Sequence, residues 1–162
     1  MSCPAVAPGV SRFIPGRAFA ERQTRTLAAH RDPNDPMMKR KLLVIDDEPA
    51  IQLILEHYFA HEYEVVLTAN GRDAMAWLEQ GHQVDIIVAD YEMPFMNGLD
   101  FIRALRQSAT HRHTPLMMLS VTDDVHNKIT CLRQGADDYL VKPFNPEELE
   151  VRINKILDRV GA

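Results

Sequence analysis

The sequence predicts an α/β fold, a single doubly wound domain on a five-stranded parallel sheet. Three observations point to it. Five short apolar runs recur between residues 39 and 160. Each is nearly continuous rather than alternating, the pattern of strands buried on both faces. Between them lie stretches whose apolar residues recur at helical spacing, and parallel strands require such crossover helices.

The first run, Leu42–Ile45, ends in Asp46, Asp47 and Glu48, with Pro49 next. Ile51, Ile54, Leu55, Tyr58 and Phe59 then mark one face of a helix. The second run, Glu64–Leu67, precedes Ala74, Trp77 and Leu78, again at helical spacing. The third, Val84–Ala89, delivers Asp90; Met93-Pro94 and Asn97-Gly98 make a turn before the helical set Leu99, Ile102 and Leu105. The fourth, Leu116–Leu119, delivers Ser120 and leads to Val125, Ile129 and Leu132. Beside Leu132, Cys131 reads as a small hydrophobe or a partly exposed thiol. The fifth, Tyr139–Val141, delivers Lys142, and Ile153, Ile156, Leu157 and Val160 follow. Trp77 and the methionines in these patterns read as core filling. Asp123-Asp124 reads as a cap on the fourth helix, and Asp137-Asp138 as a solvated turn or contact surface. His111 and His113, with no acid or cysteine beside them, read as surface imidazoles rather than a metal pair.

Residues 1–38 are expected to be a disordered, basic, proline-containing tail, with a weak basic helix over 17–30 as the alternative. Translation starting at Met37 or Met38 is a further alternative. Residues 1–41 carry eight Lys/Arg against three acids (+5), and the rest ten against twenty (−10). So acidic a body does not fit a bare nucleic-acid binder, and no direct nucleic-acid binding is expected. No apolar run approaches a membrane span and the first residues lack a secretory core, so no membrane association and a cytoplasmic location are expected. Two cysteines, Cys3 and Cys131, make neither a disulfide framework nor a metal site.

Ligands of such sheets bind beyond the carboxyl ends of the strands. Those ends carry Asp46, Asp47, Asp90, Ser120 and Lys142. Helix capping accounts for one aspartate but not for this set. Two carboxylates about 5 Å apart repel by ~3 kcal/mol at an effective dielectric near 20. The cluster therefore calls for a cation, or for one acid to stay protonated. Magnesium suits it as a hard ion held by one or two carboxylates with positions left for phosphate oxygens. Asp90 is then placed as a nucleophile toward phosphorus, with Lys142 and Ser120 neutralising and hydrogen-bonding the transferred group.

In order and placement, VIDDEP, VADYEMPFMNG, MLSVTDD and GADDYLVKPF resemble the receiver domain of two-component response regulators over residues 39–160. The resemblance implies a flavodoxin-like sheet and a stand-alone, chemotaxis-regulator-like receiver in a phosphorelay. It implies Asp90 as phosphoacceptor, and Mg2+ held by Asp47 directly, Asp46 through water, Asp90 and the backbone carbonyl of Glu92. Ser120 and Tyr139 match the switch pair, Lys142 the phosphate-binding lysine, and Lys142–Pro143 a bond that is cis in the family. Val121 departs from the family's small residue, and its bulk is expected to narrow access to Asp90 or obstruct the inward path of Tyr139.

The implied partner is a sensor histidine kinase or a histidine phosphotransfer protein. The chain is then no enzyme beyond its own phosphorylation and dephosphorylation. The alternative is the receiver half of a DNA-binding regulator or output enzyme. A phosphatase would need a substrate cap, which is missing, and a second acid, for which only Glu92 qualifies. On the face of the fourth helix, fifth strand and fifth helix, Lys128, Asp138, Glu148, Arg152 and Arg159 leave two readings open. One is a phosphorylation-dependent homodimer paired across a two-fold axis; the other is an ordinary solvated face.

Overall fold

A computed structural model describes residues 37–161, so the expectations for the tail lie outside the described residues. Strands β1 (Arg40–Ile45), β2 (Tyr63–Thr68), β3 (Ile86–Asp90), β4 (Leu116–Ser120) and β5 (Asp138–Val141) alternate with helices. These are α1 (Pro49–Phe59), α2 (Gly71–Glu79), α3 (Gly98–Gln107), α4 (Val125–Gln134) and α5 (Pro146–Gly161). All strand pairs are parallel, in the order β2-β1-β3-β4-β5. The expected five-stranded doubly wound sheet is therefore present, with its topological switch between β1 and β3.

Successive side chains of a strand point to opposite faces, and the core divides accordingly. Leu42, Val44, Ile86, Val88, Met117, Leu119 and Leu140 pack with Leu55 and Phe59 of α1 and with Leu149, Ile153, Ile156 and Leu157 of α5. Leu43, Ile45, Ile87, Ala89, Leu116 and Met118 face α2, α3 and α4. Burial on both faces is the physical reason the runs were continuous.

Two strand edges shift from expectation. Arg40 and Lys41 extend β1 by pairing with Tyr63 and Glu64. At the start of β3, Asp85 instead turns its carboxylate to the Lys41 backbone N–H at 2.6 Å, and the strand begins at Ile86. The helix faces need larger corrections. Val125, Ile129 and Leu132 of α4 are 66%, 41% and 38% exposed, and Cys131 is the residue that α4 buries. Ile54 and Val160 are exposed as well. An apolar stripe at i, i+4, i+7 shows that a face exists, not which way it points.

His111 is a further correction: it is buried, not a surface imidazole, and its Nε2 lies 3.2 Å from the Leu78 carbonyl at the end of α2. Nearby, the Arg106 guanidinium ties three segments together. It donates to the carbonyl of Gly135 from Nε (3.0 Å) and Nη2 (2.7 Å), and from Nη1 to those of Arg112 (2.9 Å) and Thr114 (2.7 Å). Asp137 is not merely solvated: it accepts from the Leu116 N–H at 2.8 Å and faces Arg106 at 3.3 Å. Among the described residues, no helix is long and apolar enough to cross a membrane.

Candidate functional site

Asp46 follows the last residue of β1, Asp90 and Ser120 are the last residues of β3 and β4, and Lys142 follows β5. Parallel register brings all four to one edge. Asp46, Asp90, Ser120 and Lys142 are buried, whereas Asp47 is exposed. One carboxylate oxygen from each of Asp46, Asp47 and Asp90 lies within 4.8 Å of the others. The acids do not cap α1, whose N-cap is Glu48 with no side-chain bond. Asp124 does cap α4, accepting from the His126 N–H at 3.0 Å.

Lys142 Nζ donates to Asp46 Oδ2 at 2.8 Å and stands 3.4 Å from Asp90 Oδ1. Asp46 Oδ1 accepts the Glu48 N–H at 2.9 Å. Asp90 Oδ1, by contrast, is buried without a hydrogen-bond partner. Burial pushes the Asp90 carboxyl up to about 6, against the pull of Lys142 and with help from Asp46 and Glu92. Burial opposes the charge on Lys142, but its hydrogen bond to Asp46 and the nearby acids outweigh this and raise its pKa. An orphaned buried carboxylate oxygen between two further acids suits a hard divalent cation, which is attracted to just such oxygens.

Residues 42–154 match the response regulator receiver domain. The chain belongs to that family. It is 42% identical over 125 residues to a probable transcriptional regulator, ycf27, of Porphyridium aerugineum, covering 76% of this chain and 50% of that protein. It is 38% identical over 120 residues to the response regulator SaeR of Staphylococcus aureus, covering 74% and 51%. The chain thus spans about half the length of the curated relatives it matches. Among solved structures, the chemotaxis response regulator CheY4 of Vibrio cholerae is similar with a TM-score of 0.68 and 34% identity, covering 74% of this chain and 99% of that one. A Francisella response regulator receiver domain gives 0.69 and 33%, covering 75% and 99%. Phosphorelay signalling is the business of this family, and it is not a family of catalytic enzymes.

The rest of this receiver's polar edge is held as follows. Ser120 Oγ donates to Glu92 Oε1 at 2.9 Å and accepts the Thr122 N–H at 3.1 Å. Thr122 Oγ1 donates to the same Glu92 oxygen at 3.2 Å. Tyr139 is buried, and its hydroxyl donates to the Thr122 carbonyl at 2.9 Å. Val121, the residue after β4, is 64% exposed. The Lys142–Pro143 bond is cis, as the resemblance implied. Thr122 and the side chain of Glu92 went unsingled as partners of Ser120. Their signal is faint, a hydroxyl two residues beyond a strand end and an acid two residues beyond another.

On the far face, Arg152 donates to Asp138 Oδ2 from Nη1 and to Glu148 Oε1 from Nη2, both at 2.9 Å. Three of the five surface charges are therefore paired within the chain, while Lys128 and Arg159 are exposed.

Proposed function

We propose that Asp90 is the phosphoacceptor of this receiver. The carrying observation is its buried Oδ1, ion-paired with Lys142 at 3.4 Å, on a carboxylate clustered with those of Asp46 and Asp47. An Asp90 oxygen attacks the phosphorus of a phosphohistidine on a sensor kinase or phosphotransfer protein. The O–P bond forms as the P–N bond breaks, and the imidazole nitrogen leaves with the electron pair. Lys142 meets a phosphoryl oxygen as a compact positive charge, and Ser120 donates its hydroxyl to another. Asp46, Asp47, Asp90 and the Glu92 carbonyl would hold Mg2+, which when bound neutralises phosphoryl charge. The protein so catalyses its own phosphorylation and dephosphorylation, in the cytoplasm, with residues 39–160 as the functional unit.

The readout face is α4, β5 and α5, which carry the exposed Val125, Ile129 and Leu132 and the charged Lys128, Asp138, Glu148, Arg152 and Arg159. Because the ycf27 relatives are named as probable transcriptional regulators, a second reading has support: phosphorylation here gates a DNA-binding output, through a homodimer on this face.

The test is labelling of the whole chain by acetyl phosphate with and without Mg2+. Wild type should acquire an acid-stable, base-labile phosphoryl group that depends on Mg2+, and Asp90→Asn should acquire none. Undiminished labelling of Asp90→Asn would overturn the assignment.

A further inference from the structure

The two switch residues of this receiver are held by different partners. Tyr139 is already inside, 2% exposed, with its hydroxyl on the Thr122 carbonyl at 2.9 Å. Ser120 nevertheless does not offer its proton to Asp90. That proton goes to Glu92 Oε1 at 2.9 Å, and the same oxygen takes the Thr122 hydroxyl at 3.2 Å. The 120–122 turn is thus gripped from two sides, by Tyr139 through a carbonyl and by Glu92 through two hydroxyls.

We propose that the Glu92 carboxylate is a latch on the Ser120 and Thr122 hydroxyls, so that switching requires Glu92 to release Ser120 to the phosphoryl group. Hydroxyl donors prefer an ionised acceptor, and a carboxylate holds them more firmly than a neutral oxygen does. A phosphoryl group on Asp90 presents three competing anionic oxygens. Ser120 has one proton to donate and gives it to one acceptor at a time. The latch therefore works against phosphorylation until the phosphoryl oxygen outcompetes it. Glu92 is a positioning residue here: it acts through Ser120.

The proposal rests on Asp90 being the phosphoacceptor, and the experiment separates the two. The whole chain is titrated with beryllofluoride, a tetrahedral phosphoryl mimic, in Mg2+, following backbone amide and tyrosine ring resonances. Glu92→Met removes the acceptor, and the isosteric Glu92→Gln keeps an acceptor but not its charge. Without beryllofluoride, Glu92→Met should already shift the Ser120 and Thr122 amides toward their wild-type bound positions. Its midpoint should be about tenfold lower than wild type, the worth of one charge-assisted hydrogen bond. Glu92→Gln should fall between the two.

Removing a negative charge near an anion would tighten binding even without a latch. The same substitutions are therefore made in a Ser120→Ala/Thr122→Val background, where the latch has nothing to hold. There the gain from Glu92→Met and Glu92→Gln should vanish. A gain that persists undiminished, or equal midpoints for wild type and Glu92→Gln with Ser120 present, would overturn the latch. Failure of wild type to bind, or binding unaffected by Asp90→Asn, would instead overturn the phosphoacceptor assignment.

Discussion

Replacing Asp90 by asparagine should stabilise this protein, and the gain should depend on pH in a direction the site dictates. Asp90 is 5% exposed, and burial, opposed by Lys142 and aided by Asp46 and Glu92, lifts its carboxyl from 3.8 to about 6. A folded-state value above the unfolded one means the fold prefers the protonated form. The stabilising contribution of that proton is fully present below pH 3.8 and is lost as pH rises through 6. Above that window the ionised carboxylate costs the fold about 3 kcal/mol, at roughly 1.4 kcal/mol per pH unit. Asparagine has the same shape without the charge. In EDTA at pH 7.5, Asp90→Asn should therefore gain ~2 kcal/mol, or roughly 8 °C in Tm for a domain of this size. The gain should shrink through pH 6 and disappear near pH 4, where both side chains are neutral. Mg2+ at a hundred times its dissociation constant should stabilise wild type by about 2.7 kcal/mol, which offsets the whole gap and leaves wild type the more stable. The assay is urea unfolding across this pH range, with and without Mg2+. A gain of the same size at pH 4 and pH 7.5 would refute the reasoning, because it would then owe nothing to the buried charge.

Two structural predictions follow from the frame around the site. Arg106→Ala should cost about 2–4 kcal/mol in urea unfolding, because carbonyls that its guanidinium satisfies lose a charged donor. Arg106→Lys should recover less than half, since an ammonium cannot span the fork, and acetyl phosphate labelling per folded molecule should be unchanged in both. Gly98→Ala should cost about 1–3 kcal/mol and slow labelling too. A Cβ there would lie 2.5 Å from Met118 Cε and 2.8 Å from the Tyr91 Cα, and the backbone beside Asp90 has to shift to admit it. Unchanged stability and labelling would show that the turn absorbs a methyl group.

The sheet and its polar edge were legible because each rests on a strong local rule. A continuous apolar run ending in a polar residue places that residue at a strand's end, and parallel crossovers bring the ends together. That is how Asp46, Asp90, Ser120 and Lys142 reached one edge in register. The misread elements have no such rule. His111 looks like any loop histidine, and only the approach of the α2 carbonyl at Leu78 reveals its burial. The pairing of Glu92 with Ser120 and Thr122 joins residues 28 and 30 positions apart, across two strand ends whose loop conformations no spacing specifies.

The α4 stripe shows why energetics decides which patterns can be trusted. Burying Asp46 and Asp90 without compensation would cost several kcal/mol, so acids at the ends of buried strands demand a lysine, a cation or a proton. The structure supplies Lys142. An exposed valine, isoleucine or leucine carries no comparable penalty, because more than half of any protein surface is apolar. Val125, Ile129 and Leu132 therefore satisfy helical spacing equally well facing in or out, and the small Cys131 takes the inward position beneath them. A buried charge constrains its neighbours and so carries information about function. An exposed methyl group constrains almost nothing until a partner covers it.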